Sequence, residues 1–362
     1  MSYISKALDS HILSGDTEAN KMCEKLLENK YGFTKISLTN SCTTALEISA
    51  VISGIEAGDE VILPSFTYVS TANAFALRGA KLVFADSNSR NPNIDEDLLE
   101  ALITPKTKVI IIMHYAGVAC NMEKIKALAV KYKLFLIEDA AQCINSFYKE
   151  KPLGSIGDLG CFSFHETKNI HCGEGGLLAI NNADLLQRVE VVRNKGTNRS
   201  AFIRGEVNSY EWVDLGFSAI PSAINSAFLY AQLQQIDNVQ KKRLLVWNKY
   251  FGLLQKLKAD GFIDLPFIPD YATNNAHIFY IVCRSEEERI LLIAHLKKNS
   301  IQAVFHYQTL HNSKYYISKH DGRELLNASR YDSCLLRLPL YYDLSLNEVE
   351  FISETIKSFF LN

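Results

Sequence analysis

From residue 36 onward, short apolar runs alternate with amphipathic stretches long enough for helices. Ile36-Ser37-Leu38 opens the series as a short strand, and Thr43 to Ile52 follows as a helix. Further strands are predicted at 60–64, 81–85, 108–113 and 134–137, with helices at 69–77, 95–103 and 122–131 between them. Gly160 to Phe164 and Gly176 to Ile180 close the series. Continuous apolar runs such as Val109 to Met113 need cover on both faces. The pattern therefore predicts an α/β fold, with a mainly parallel central sheet between two helical layers. Ligands bind such sheets beyond the carboxyl ends of the strands. His114, Asp139 and Lys168 all fall at or just past such ends.

A nearly unbroken helical stretch runs from Ser222 to Lys258 and ends near Gly261. A smaller alternation follows: strand 278–282, helix 286–299, strand 301–305 and a final helix 346–360. Residues 1–240 read as a large domain and 241–362 as a smaller α+β domain. The loop from Gly196 to Tyr210 is rich in Asn and Ser and carries Arg199 and Arg204, with Arg193 and Lys195 just before it. Loops of this kind often carry function.

Composition narrows the class. With 362 residues, 48% of them hydrophobic and 22% charged, the chain can bury a sizeable core. A net charge of −2 offers no basic field for nucleic acid or an anionic membrane. The eight cysteines form no Cys-x-x-Cys pair and no zinc-like Cys/His spacing, so no metal site is expected. They read as reduced, buried thiols. The N-terminus lacks a signal-peptide core, and no apolar run approaches the ~18 residues of a membrane span. A cytoplasmic protein is expected.

The chemistry gathers around Lys168. It lies in Cys161-Phe162-Ser163-Phe164-His165-Glu166-Thr167-Lys168-Asn169, just before Gly173-Glu174-Gly175-Gly176. Glu138-Asp139-Ala140-Ala141-Gln142 ends an apolar strand about thirty residues earlier. An amine, a carboxylate at a strand end and the Ser163 hydroxyl suit pyridoxal phosphate (PLP) chemistry. The amine condenses with the cofactor's aldehyde, the carboxylate pairs with its protonated ring nitrogen, and the hydroxyl binds its phosphate.

These motifs give the chain a family resemblance. It resembles the DegT/DnrJ/EryC sugar-nucleotide aminotransferases, which have the aspartate aminotransferase (fold type I) architecture. The likeness runs from about Leu13 to the C-terminus. It is strongest in Asn40 to Leu46, Gly58 to Ala74, Glu138 to Gln142 and Ser163 to Gly176. Arg78 to Lys81, His114 to Cys120, Ser163 to Asn169 and Lys195 to Ser200 are similar to members that aminate a 4-keto-6-deoxyglucose. The resemblance implies a homodimer with active sites near the subunit interface. It also implies transfer of an amino group from L-glutamate to C4 of dTDP-4-dehydro-6-deoxyglucose, for cell-surface polysaccharide synthesis. The product is expected to have the galactose configuration. The glucose epimer and amination at a 3-keto group stand as alternatives. Related dehydratases replace the lysine by histidine, so Lys168 argues for transamination. A PLP-fold regulatory module would need a broken site, and Lys168, Asp139 and Ser163 are all present.

The resemblance also implies residue roles. Lys168 anchors PLP and moves the proton, and Asp139 holds the ring nitrogen protonated. Tyr68 stacks on the ring, and Gln142 contacts its phenolic oxygen. Cys42, Thr43 and Ser163 form the phosphate cup, with Ser41 and Thr43 also suited to helix capping. Ser218 stands where many members carry an Asn that reaches the neighbouring subunit's phosphate, and Ile220 where they carry Arg. The segment before Ser14-Gly15-Asp16 and the loop after His311 are shorter than the family's, and both border its substrate pocket. For His114, His165, His306 and His311, substrate contact and a structural role both stand. Lys195, Arg199 and Arg204 form a candidate diphosphate clamp.

Overall fold

The computed structural model describes residues 2–361. Its main sheet has seven strands: β1 (Lys35–Thr39), β2 (Glu60–Pro64), β3 (Lys81–Ala85), β4 (Thr107–Met113), β5 (Phe135–Asp139), β8 (Leu159–Ser163) and β9 (Gly176–Ile180). A small hairpin, β6 (Phe147–Tyr148) and β7 (Lys151–Pro152), stands apart. The strand order is β1-β9-β8-β5-β4-β2-β3. Only β9 runs against its neighbours. The expected mainly parallel sheet is thus present.

Side-chain alternation explains its two layers. In β4, Val109, Ile111 and Met113 enter one core, while Ile110 and Ile112 enter the other. The first core is covered by helices Cys42–Ile52, Val69–Ala76 and Leu186–Arg193. Helices Glu18–Tyr31, Met122–Tyr132 and Ala223–Leu233 cover the second.

A second sheet, all antiparallel, has the order β10-β11-β13-β12, from β10 (Ile263–Asp264), β11 (Phe279–Cys283), β12 (Val304–Phe305) and β13 (Leu335–Leu338). Phe279, Ile281, Leu336 and Leu338 share a third core with Trp247 and Tyr250. The opposite face carries Tyr280, Val282 and Leu335, which join the first core. The second sheet therefore packs directly on the large one, over the carboxyl edge.

Four local readings need correction. The stretch 222–258 is two helices, Ala223–Leu233 and Ile236–Ala259, broken at Gln234 and Gln235. The first belongs to the second core, and the other passes from there to the third. Residues 95–103 form two 3₁₀ turns, where the Asp95 carboxylate caps the Asp97 N–H. Only Val304–Phe305 pairs as a strand within 301–305. The loop from 196 contains a short helix, Arg199–Ile203.

Gly160, in β8, is forced by close packing. A Cβ there would sit 2.1 Å from the Gly154 carbonyl oxygen. Gly160→Ala should therefore cost about 3 kcal/mol, the upper range for overpacking. Urea unfolding of the two proteins checks this. A midpoint shift worth under about 0.5 kcal/mol would show that the loop yields freely.

Candidate active site

The carboxyl edge of the large sheet is organised by two adjacent carboxylates with opposite surroundings. Glu138 is fully buried. It accepts N–H bonds from Gly154 (2.8 Å), Ile156 (2.7 Å) and Gly157 (2.6 Å). His114 Nε2 lies 3.0 Å from its Oε2. His114 Nδ1 accepts the Cys120 N–H at 3.0 Å, which leaves Nε2 to carry the proton to Glu138. His114 thus has the structural role, correcting the cavity-facing alternative. Burial pushes the Glu138 pKa up, but the His114 contact and the N–H donors outweigh it and hold it below the ordinary range.

Asp139, one residue on, points the other way. It is the last residue of β5 and is buried. Its Oδ2 accepts the Thr71 hydroxyl at 2.6 Å, and its Oδ1 accepts the Ala141 N–H at 3.1 Å. Burial pushes its pKa up, against those bonds and the Lys168 charge. A cation beside it would relieve that penalty.

Lys168 lies in the turn after β8. Its N–H donates to the His165 carbonyl at 2.9 Å. The next residue pins the loop: Asn169 donates to the Asn275 carbonyl at 2.9 Å and meets His277 Nδ1 at 3.0 Å. The Lys168 amine makes no hydrogen bond or ion pair with any described residue. Burial lowers its pKa, the Arg337 charge adds to this, and Cys42 and Asp139 oppose it. A lowered pKa keeps more of the amine neutral, the form that attacks an aldehyde or takes a proton.

Helix Cys42–Ile52 points its N-terminus into the same edge. Ser41 caps it, accepting the Thr44 N–H at 3.0 Å. The Thr43 hydroxyl instead meets Ser70 Oγ at 2.8 Å. A Cβ at Gly176 would strike the Ser41 carbonyl carbon at 2.4 Å, so glycine lets β9 pass beneath the helix start. Free N–H groups, the Thr43 hydroxyl and nearby Ser163 form a cradle suited to a phosphate. Cys42 is buried there, with its thiol pKa pushed well up by burial. Ser163 Oγ accepts the His165 N–H at 3.3 Å. Ser218 sits by its own chain's β1, where Asn40 donates to its carbonyl at 3.1 Å.

Tyr68 is 56% exposed at the rim, 6.1 Å from the Tyr307 ring. Gln142 is occupied at both ends. Its Oε1 accepts the Ala116 N–H at 2.6 Å, and its Nε2 donates to the Tyr307 hydroxyl at 3.0 Å. The Tyr307 hydroxyl therefore keeps its own proton to donate. His306 Nδ1 lies 3.0 Å from the Tyr115 hydroxyl, and burial, with Arg337 and Lys168 nearby, drives its pKa down to about 2.

Several expected substrate residues are engaged by partners within the chain. His311 is held by Ser65 Oγ at 2.6 Å, with the tilted His320 ring 5.1 Å away, which is a structural placement. His165 turns to Thr167 Oγ1 at 3.0 Å and towards Glu174 at 3.6 Å. Arg204 is clamped by Glu190 (2.6 Å) and Glu206 (2.7 Å), because its loop folds back along helix Leu186–Arg193. With Arg199 it lines a cavity of about 1370 Å³ beside the first helices, and neither Lys168 nor Asp139 reaches that cavity. Within one chain, the expected diphosphate clamp is not assembled at Lys168.

Sequence reading missed Thr71, Tyr307 and Arg337. Thr71 was detectable, since it stands three residues after Tyr68 on a short helix. Tyr307 and Arg337 come from the second sheet region, and no local signal places them here.

A seven-stranded sheet with one reversed strand, and a lysine facing a carboxylate at its carboxyl edge, define an α/β protein of fold type I. The chain belongs to the DegT/DnrJ/EryC1/StrS aminotransferase family, whose model matches residues 1–357. It is 32% identical to the spore coat polysaccharide biosynthesis protein SpsC of Bacillus subtilis, over 98% of this chain and 92% of that protein. Among solved structures it is similar to the putative sugar aminotransferase Spr1654 of Streptococcus pneumoniae in its PMP form. That match has a TM-score of 0.91 at 25% identity, covering 99% of this chain and 95% of the other. It also matches Bacillus subtilis NtdA with bound PMP, with a TM-score of 0.90 at 26% identity, covering 100% and 81%.

Glu138 sets a stability prediction. Glu138→Ala removes the partner of three N–H groups and His114, and should cost about 3–5 kcal/mol. Because the folded pKa is below the unfolded value, Glu138 stabilises fully above the unfolded pKa, and this is lost as pH falls through the folded one. The gap between the proteins should therefore narrow between about pH 7 and about pH 3. Denaturant titrations at both pH values measure it, and a gap that widens in acid would refute the assignment.

Proposed function

We propose that this chain is a PLP-dependent aminotransferase acting on a nucleotide-linked keto sugar. It moves an amino group from L-glutamate to C4 of dTDP-4-dehydro-6-deoxyglucose. The products are dTDP-4-amino-4,6-dideoxygalactose and 2-oxoglutarate. The carrying observation is the unpaired, pKa-lowered amine of Lys168 next to the buried Asp139.

In this reading Lys168 holds PLP, and Asp139 keeps the ring nitrogen protonated. Tyr68 covers the ring face, while Gln142 and Tyr307 flank it. The N–H groups of Cys42 and Thr43 and the Thr43 and Ser163 hydroxyls take the phosphate, and Ser218 serves that of the neighbouring subunit. When bound, PLP supplies an electron sink for the carbon that loses its proton. Lys168 Nζ would carry that proton from the donor's Cα to C4′ of the cofactor within the first half-reaction, and would carry one from C4′ to C4 of the sugar in the second. Thr71 acts through Asp139, fixing its carboxylate plane.

The homodimer belongs to the same reading. Tyr210, Trp212, Val213 and Leu215 stand exposed on the loop that follows Lys195 and Arg199. A second copy would bury that apolar patch. Lys195 and Arg199 would then serve the substrate's diphosphate, and His306 would border the sugar. The eight buried thiols support a cytoplasmic location. The relative in spore coat polysaccharide synthesis supports a sugar destined for a polysaccharide.

Product analysis tests the substrate and the stereochemistry together. The holoenzyme is incubated with L-glutamate and separate dTDP-3-keto and dTDP-4-keto sugars, and the products are read by NMR. An axial amine at C4 is expected from the 4-keto sugar. An equatorial amine, or turnover of the 3-keto sugar alone, would overturn the named reaction.

A further inference from the structure

Two loops bring the reacting groups to the crevice. One follows β5 and carries Gln142 just after Asp139, and the other is the turn after β8 that carries Lys168. Both are hydrogen-bonded to residues 275–277, the approach to β11. Asn275 is fully buried. Its Nδ2 donates to the carbonyls of Gln142 (2.7 Å) and Ile144 (2.9 Å). Its own backbone carbonyl accepts Asn169 Nδ2 at 2.9 Å. A carbonyl can only accept, so Asn169 turns its amide nitrogen to Asn275 and its Oδ1 to His277. His277 Nδ1 lies 3.0 Å from that oxygen and therefore carries the proton.

The segment is itself clamped. Arg243, on helix Ile236–Ala259, donates Nε to the Ala276 carbonyl (3.0 Å) and Nη2 to that of His277 (2.7 Å). The His277 N–H donates to Asn275 Oδ1 at 3.0 Å. Ala276 between them is held at a φ of 51°, a left-handed conformation that a residue with a Cβ adopts at a cost. Such a conformation persists where the surroundings over-determine it, as they do here. The titratable groups nearest His277 are Lys168, Arg243, Arg337 and His306. Burial and these neighbours drive the His277 pKa well below the ordinary range, so its ring stays neutral. The ring thus supplies a hydrogen bond beside Lys168 without adding a charge.

We propose that His277 is a positioning residue for the Lys168 amine and acts through Asn169. The Nδ1–H of His277 and the Asn275 carbonyl grip the Asn169 amide from both sides and fix the backbone next to Lys168. The same segment grips the loop after Asp139, so one clasp sets the spacing between the lysine and the carboxylate. The inference deepens the aminotransferase reading above and rests on it for the chemistry that Lys168 performs. A four-carbon side chain delivers its amine to one place only from a fixed root. Misplacement by about 1 Å can cost about a hundredfold in rate.

The variants His277→Leu, His277→Asn and Asn169→Ala test the clasp. The first removes the donor and keeps bulk, and the second restores an amide N–H near the place of Nδ1. Competitive acetylation with peptide mass mapping reads the titration of Lys168 in the cofactor-free protein. The titratable neighbours of the amine, Cys42, Asp139, Arg337 and Cys143, are unaltered by these variants. An amine freed from the clasp gains solvent, so its midpoint should rise in His277→Leu and Asn169→Ala and return in His277→Asn. In single turnovers of the holoenzyme with L-glutamate, the rate should fall about tenfold to a hundredfold in the first and third variants. It should recover to within about threefold of wild type in His277→Asn, with half-saturating glutamate within about threefold throughout. The double variant of His277→Leu with Asn169→Ala should lose no more than either alone. An unchanged Lys168 midpoint with only a lower unfolding temperature would mark a merely structural role and overturn the inference. So would additive losses in the double variant, or no recovery in His277→Asn. A His277→Leu protein that does not fold leaves Asn169→Ala to decide by the same two readouts. Midpoints that shift as expected, in a protein with which neither L-glutamate nor any keto sugar reacts, would sink the proposed function and uphold the clasp.

Discussion

Everything at the carboxyl edge depends on how β5 ends. Strand alternation sends Glu138 to one side of the sheet and Asp139 to the other. Glu138 is consumed entirely by structure: three loop N–H groups and His114 hold it. That network ties residues 154–157 to β5 and fixes the last residue of the strand. Asp139 is left with the crevice, one hydroxyl and one N–H. A one-residue slip of β5 would exchange the two roles and destroy both the support and the site.

The crevice itself is made by burial. Burial lowers the Lys168 pKa, raises that of Asp139 and keeps His306 neutral. One low-dielectric environment thus pushes each group towards its uncharged form. A lysine that is easily neutral and a carboxylate short of a cation are complementary needs. A protonated heterocycle with an aldehyde substituent meets both at once.

The large sheet was legible because its strands are continuous apolar runs with breakers between them. The position of Lys168, Asp139, Thr43 and Ser163 at the carboxyl edge was legible because each sits at an element boundary next to a recognisable turn. The second sheet was harder. β12 has two residues and β10 has two, too few for any period to register. In β13 an arginine interrupts Leu335, Leu336 and Leu338, so the run does not read as a strand. Tyr307 bonds Gln142 across 165 residues, a pairing that only the folded sheets create. For Arg204, His311 and His114, residue type suggested ligand contact, but partners in the fold already occupy them.

Reduction of the PLP-loaded protein with borohydride, followed by peptide mass mapping, tests whether the unpaired amine beside Asp139 is the cofactor's anchor. The pyridoxyl mass should fall on Lys168, and Lys168→Ala should leave the protein without the label. A label on another lysine, or none after loading with PLP, would contradict this account of the site.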